Sequence, residues 1–253
     1  MSVNTKILGV IPARYNSSRF HAKALVDIGG KSMIQRVYEQ ACKSTLLSKV
    51  VVATDHTLIF DHVIGFGGNV VMTSELHQSG TDRCFEALGL MADSFDYVVN
   101  IQGDEPFIKP EQIDILAAII SQHDDVQLAT LIKKITVLEH VFDVNKVKVV
   151  FDNAQQAIYF SRQAIPFQRG IESADWLNHH DYYKHLGIYV YRADILAKIT
   201  QLAPSSYEQM EALEQLRWLQ NGYKIHVQTT EFESYGVDTP ADLAEISRLG
   251  IAE

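Results

Sequence analysis

The sequence has only two cysteines, Cys42 and Cys84, among its 253 residues. A disulfide framework is therefore excluded as the source of stability, and the usage fits a reducing cytoplasm. It also lacks any apolar run near the ~20 residues needed to cross a bilayer, and the run Ile7–Ile11 is closed by Pro12 and Arg14. Basic side chains are few, 22 against 31 acidic, a net charge of −9 that argues against nucleic-acid or anionic-membrane partners. Glycine-based nucleotide motifs are incomplete. Gly30-Lys31-Ser32 copies the end of a P-loop, but Leu25 stands where the leading glycine belongs. Gly65, Gly67 and Gly68 fail the dinucleotide pattern at Val70. The serine-hydrolase elbow, the His-Glu-x-x-His zinc motif and paired cysteines are missing, and His179, His180 and His185 have no metal-ligand spacing.

What is present is an alternation of short β-branched runs with longer helical patterns, the mark of an α/β fold built on a mainly parallel sheet. Strands are predicted at Ile7–Ile11, Val50–Ala53, Val70–Met72, Tyr97–Ile101, Leu128–Ile132, Val147–Phe151, Ala157–Phe160, Gly187–Tyr191 and Ile225–Val227. Helices are predicted at Met33–Ser44, Glu111–Gln122, Glu208–Gln220 and Ala241–Leu249, the last started by Thr239-Pro240. No repeat or linker interrupts the chain, so residues 1–253 read as one domain. The segment from about 155 to 203 reads as an excursion from the main sheet and a possible dimerisation arm.

Ligands of open parallel sheets bind beyond the carboxyl ends of the strands, which directs attention to the residues after each run. Before Asp27 there is no acidic residue, whereas Lys6, Arg14, Arg19 and Lys23 are present. The loop Pro12 to Lys23 suits a polyphosphate, because Arg forks bind phosphate oxygens in pairs and Lys adds a point charge. Gln102-Gly103-Asp104-Glu105-Pro106 puts a hard oxygen donor at a strand end, and Gly236-Val237-Asp238-Thr239-Pro240 puts another ahead of a helix. Asp104 and Asp238 could share a magnesium ion. Singly, Asp104 reads equally as a turn residue and Asp238 as a helix-dipole charge.

Taken together, these segments resemble the CMP-Kdo synthetase (3-deoxy-manno-octulosonate cytidylyltransferase) family over essentially the whole chain. The resemblance is carried by Ile11-Pro12-Ala13-Arg14-Tyr15 with Ser18-Arg19, Val52-Ala53-Thr54-Asp55, His77-Gln78-Ser79-Gly80-Thr81-Asp82-Arg83 and Gln102-Gly103-Asp104-Glu105-Pro106. Further matches are Tyr159-Phe160-Ser161-Arg162, Lys184-His185-Leu186-Gly187-Ile188-Tyr189, Leu213-Glu214-Gln215-Leu216-Arg217 and Gly236-Val237-Asp238-Thr239-Pro240. The family implies a Rossmann-like nucleotidyltransferase fold, a homodimer and a cytoplasmic, magnesium-dependent reaction of CTP with Kdo for lipopolysaccharide synthesis. An 8-amino-8-deoxy Kdo, a sialic-acid-like sugar, or a binding protein without catalysis are the alternatives.

Carried over residue by residue, the resemblance gives Ala13, Arg14, Ser18, Lys23, Ser79, Gly80 and Asp104 to the nucleotide. It gives Gln102, Arg162, His185, Tyr189, Glu214 and Gln215 to the sugar, with Arg162 on the sugar carboxylate. Arg14, Lys23, Asp104 and Asp238 become the catalytic group, the two aspartates holding magnesium. One stretch departs from the family's Arg-Leu-Pro-Gly-Lys-Pro-Leu, reading Arg19-Phe20-His21-Ala22-Lys23-Ala24-Leu25. An alanine where the family has a freely left-handed glycine is expected to weaken nucleotide binding. Restoring Pro-Gly at 21 and 22 is expected to lower the Michaelis constant for CTP.

Overall fold

A computed structural model describes residues 5–16, 20–122, 125–233, 235–237 and 239–248. Ser18, Arg19 and Asp238 lie outside them. The strands are β1 (Ile7–Ala13), β2 (Asp27–Ile28), β3 (Lys31–Ser32), β4 (Lys49–Thr54), β5 (Val70–Met72) and β6 (Tyr97–Asn100). They continue with β7 (Leu128–Lys134), β8 (Lys148–Phe151), β9 (Ala157–Ser161), β10 (Tyr183–Arg192) and β11 (His226–Thr229). The helices are α1 (Met33–Ala41), α2 (Thr57–Gly65), α3 (Gly80–Gly89), α4 (Pro110–Gln122) and α5 (Leu138–Phe142). After them come α6 (Trp176–His179), α7 (Ala193–Ile199), α8 (Ser206–Glu211), α9 (Gln215–Gln220) and α10 (Pro240–Arg248).

The main sheet runs β11-β7-β10-β6-β1-β4-β5, with β8 and β9 branching from β10. Strands β6, β1, β4 and β5 are parallel, and β10 enters antiparallel between β6 and β7. Alternate residues of β1 feed two cores: Ile7 and Ile11 face α1, α2 and α4, while Leu8 and Val10 face α3, α7 and α9. A sheet covered on both faces makes its strands read as continuous apolar runs. Gly29 and Gly30, both at positive φ, form the two-residue turn of the β2–β3 hairpin. That turn accounts for the false P-loop ending, since paired left-handed residues match the twist of a tight hairpin. Thr239 caps α10: its hydroxyl accepts the Asp242 N–H at 3.3 Å, and the Asp242 carboxylate takes the Thr239 N–H at 2.8 Å.

Two features of the sequence reading are corrected here. Residues 155 to 203 are not wholly an excursion, because β10 is an interior strand of the main sheet; burial on both faces removed the alternation that marks a strand. Within this segment β9 joins the sheet off its main path, through β8, and the aromatic stretch around α6 packs on Ile135, Leu138 and Val141, with Trp176 stacked on Tyr182. The pattern Glu208–Gln220 is also two helices rather than one. Ala212 takes a left-handed conformation, φ 50° and ψ 50°, and turns the chain sharply between α8 and α9.

Candidate active site

Strand β1 has neighbours on both sides, β4 and β6, so the chain reverses direction of build across it. This is the switch point at which open α/β sheets take ligands. A cleft of about 290 Å³ lies there, lined by Ala13, Arg14 and Lys23 from the first loop, Ser79 and Gly80 at the start of α3, and Gly103 and Asp104 after β6. His77, Gln78, Arg83, Asn100 and Gln102 also line it. Ser79 caps α3 by accepting the Asp82 N–H at 3.1 Å, which aims the amino-terminal end of the helix at the cleft. Helix starts of this kind favour anions. A Cβ on residue 103 would fall 2.6 Å from the Pro12 carbonyl oxygen, so Gly103 is what allows the two strand ends to meet.

Lys23 Nζ lies 2.9 Å from Asp104 Oδ2 at the mouth of this cleft. The loop carrying Lys23 is pinned from beneath: Asp55 accepts the Tyr15 N–H at 3.0 Å and binds Arg83 at 2.9 Å. Arg83 also donates to Thr73 at 2.6 Å, and Tyr15 stacks on His56. Ala22 sits at φ 49° and ψ 32°, so the alanine keeps a left-handed conformation that glycine would adopt freely. Ala22→Gly should remove most of the left-handed penalty, roughly 0.5–1 kcal/mol after the added unfolded-state freedom of glycine. The expected result is a CTP Michaelis constant about threefold lower, read from initial rates; an unchanged constant would detach loop strain from binding.

A second cavity of about 200 Å³ adjoins the first, sharing Gly80, Asn100 and Gln102 with it. His185, Tyr189, Glu214 and Gln215 line it, joined by Thr81, Gly187, Tyr191 and Trp218. Gln102 donates to the Gly187 carbonyl at 2.9 Å, tying β6 to the bulged part of β10. Burial pushes the Glu214 carboxyl upward, partly offset by the Thr81 hydroxyl, which donates to it at 2.8 Å. The Tyr189 and Tyr191 phenols are pushed well up by burial.

Burial also lowers the His185 imidazole to about 3, so the ring is neutral at physiological pH. The unfolded chain takes this proton near 6.5. Between those values the unfolded state holds more protons, so the stability from His185 is complete above the higher value and is lost as pH falls toward the lower. The loss amounts to at most about 1.4 kcal/mol per pH unit. His185→Gln should accordingly flatten the decline of melting temperature between about pH 7 and 5. Parallel melting curves for the two proteins would refute that.

Arg162 is not brought to either cavity. Its Nε donates to the Glu211 carbonyl at 2.7 Å, Nη2 to the Ala212 carbonyl at 3.3 Å and Nη1 to the Val144 carbonyl at 3.0 Å. The guanidinium thus satisfies carbonyls that the end of α8 leaves open. With Arg217 forked onto Glu208 at 2.5 and 2.7 Å, it fixes the bend that turns Glu214 and Gln215 inward. A sugar carboxylate at Arg162 would compete with three backbone acceptors. Asn100, Tyr191 and Trp218 were missed because each reads as an ordinary interior residue of a strand or helix.

Among the described residues no three or more metal-ligating side chains gather. Asp104 is nonetheless an oxygen donor in a cleft built for phosphates. Magnesium is commonly held by one or two carboxylates with phosphate oxygens completing its shell, so this donor set fits that ion. The backbone N–H of Val237 donates to the Asp104 carbonyl at 2.8 Å, bringing the segment before α10 against this strand end.

A family model for cytidylyltransferases matches residues 8–225, which places the paired clefts in that class of enzyme. The 3-deoxy-manno-octulosonate cytidylyltransferase of Cytophaga hutchinsonii is 52% identical over 248 residues, 98% of both chains. The enzyme of the same name from Bacteroides thetaiotaomicron is 52% identical over 241 residues, 94% of this chain and 95% of its own. A solved CMP:2-keto-3-deoxy-manno-octonic acid synthetase complexed with CTP superposes with a TM-score of 0.90 at 40% identity, covering 98% of this chain and 99% of that one. A cytidylyltransferase from Leptospira borgpetersenii, 16% identical with a TM-score of 0.61, shares the fold alone. The chain belongs to the 3-deoxy-manno-octulosonate cytidylyltransferase family.

Proposed function

We propose that this enzyme transfers the cytidylyl group of CTP to Kdo, giving CMP-Kdo and pyrophosphate. The observation that carries the reading is the continuity of two unlike cavities, one lined by Arg14, Lys23 and Arg83 and one without Lys or Arg, across Asn100 and Gln102. The anomeric oxygen of the sugar attacks the α-phosphorus; a new O–P bond forms there as the α–β bridge breaks and pyrophosphate departs. Arg14 and Lys23 take the triphosphate and the charge that develops on the leaving group. Ser79 and Gly80 set the nucleotide against α3, with Ala13 lining the same cleft, and Ser18 is assigned to the nucleotide as well. Gln102, His185, Tyr189, Glu214 and Gln215 hold the sugar. Asp104 and Asp238 would hold magnesium, a pairing supported by the Val237–Asp104 hydrogen bond. Bound there, the ion would offset phosphate charge and make the anomeric hydroxyl more acidic.

The test is pyrophosphate release from CTP with magnesium, in the presence and absence of Kdo. Release that needs both supports the reading; release with 8-amino-8-deoxy Kdo or a sialic acid alone would move the substrate assignment. The presence of Arg14, Lys23 and Asp104 around one cleft favours catalysis over mere binding. We also read residues 1–253 as one domain that works in the cytoplasm, and no helix among the described residues is long and apolar enough to cross a membrane. A homodimer is supported by Ile158 and Phe167, 62% and 75% exposed on the segment carrying β9.

A further inference from the structure

Three side chains of the second cavity bury a polar atom that has no hydrogen-bond partner: Asn100 Oδ1, Gln215 Nε2 and Trp218 Nε1. Buried polar groups are ordinarily satisfied, because leaving one unmade forfeits its hydration without return. Their gathering around one small cavity marks a place shaped for a polar ligand. Gln215 and Trp218 stand three residues apart on α9, a spacing that puts them on one helix face. Their free atoms are both N–H donors, so they require ligand oxygens. Asn100 Oδ1 and the Glu214 carboxyl supply acceptors in the same lining.

The cavity has no Lys or Arg in its lining, whereas Arg14, Lys23 and Arg83 all line the neighbouring cleft. An anion entering the second cavity would meet Glu214 and no cation. Hydroxyls, which donate and accept at once, match a wall of mixed neutral donors and acceptors. In a 2-keto acid sugar the carboxylate shares its carbon neighbour with the reacting hydroxyl, so both must lie toward the triphosphate. With the sugar's polyhydroxyl tail in this cavity, we infer that the Trp218 indole N–H is a specificity-determining donor to a tail hydroxyl. The inference rests on the Kdo reading above. Tyr189 and Tyr191 hold the indole edge-on, with ring centroids 5.1 and 5.7 Å away.

Trp218→Phe keeps an aromatic ring in this packing and deletes the donor. Its Michaelis constant for Kdo should rise about tenfold, the effect of an unpaired substrate oxygen, with that for CTP and kcat within about twofold. The preference for Kdo over the seven-carbon 3-deoxy-heptulosonate, which lacks the last carbon of the tail, should shrink by a similar factor. A purely structural role would lower the melting temperature and kcat and leave that preference intact, overturning the assignment. A second measurement uses the folded wild type. The chain has two tryptophans, and Trp176 already donates to the Ile171 carbonyl. In the presence of the α,β-methylene analogue of CTP, Kdo should shift the Trp218 indole N–H resonance and leave that of Trp176 in place. An unmoved Trp218 signal in an enzyme that turns over Kdo overturns the tail assignment alone. Turnover indifferent to Kdo overturns the function and the assignment together.

Discussion

Asp104→Asn should lower Kdo-dependent pyrophosphate release by about two to three orders of magnitude, the usual loss when a preorganised charge at the reacting centre is removed. The substitution keeps the side chain's shape and deletes its charge. Lys23, 2.9 Å away, would lose the carboxylate that holds its ammonium at the cleft mouth. The expected magnesium site would lose a ligand of the hard, anionic kind that the ion prefers. Stability should hardly change, because the Asp104 side chain is one-third exposed and the substitution strands no deeply buried ion. Pyrophosphate release and thermal melting together check this. Near-parental turnover would remove Asp104 from the catalytic group, and a collapse of melting temperature would make the loss of rate structural.

Asp55→Ala should be the most destabilising single change near the site, although Asp55 lines neither cavity. It would strand the Arg83 guanidinium, a residue only 3% exposed whose carboxylate partner is 2.9 Å away. Removing one member of a buried pair costs about 3–5 kcal/mol, chiefly because the other charge remains without compensation. In a chain of this size that corresponds to a fall of roughly 10 °C in melting temperature. The same carboxylate holds the Tyr15 N–H, so the loop bearing Arg14 would be released and the CTP Michaelis constant should rise. Pairing Asp55→Leu with Arg83→Met removes both charges and should recover much of the stability without recovering the CTP affinity. A double variant as unstable as Asp55→Ala would show that packing, rather than the stranded charge, is responsible.

The parallel half of the sheet was legible because β1, β4, β5 and β6 are uninterrupted apolar runs bounded by polar loops. The phosphate-facing loop was legible for the same reason: its charges follow β1 directly, and a strand end fixes where the next few residues stand. At Ala22 the sequence showed the cost an alanine would carry in a left-handed position, and the structure shows that the backbone keeps that conformation. The second cavity was reached only through the family resemblance, because it is assembled from β6, β10, α3 and α9, with no local pattern joining them. Trp218 and Asn100 carry no sign of exposure or charge, and the bend at Ala212 defies the helical periodicity running through it. Arg162 shows the converse. An arginine near a sugar-binding motif suggests an anion partner, but only the fold reveals that open carbonyls at the end of α8 had already taken its donors.

The antiparallel entry of β10 between β6 and β7 has a consequence for how the enzyme comes into being. Asn100 on β6 lies in register with Tyr189 on β10, two residues far apart along the chain, and both cavities meet at that pairing. Closing so long a loop is entropically slow compared with forming the local β1–α1–β4 unit. A nascent or refolding chain can thus assemble its triphosphate loop early and remain incapable of holding the sugar. On this topology the β6–β10 pairing is expected after the local β1–α1–β4 unit, and the sugar cavity is incomplete until that pairing forms.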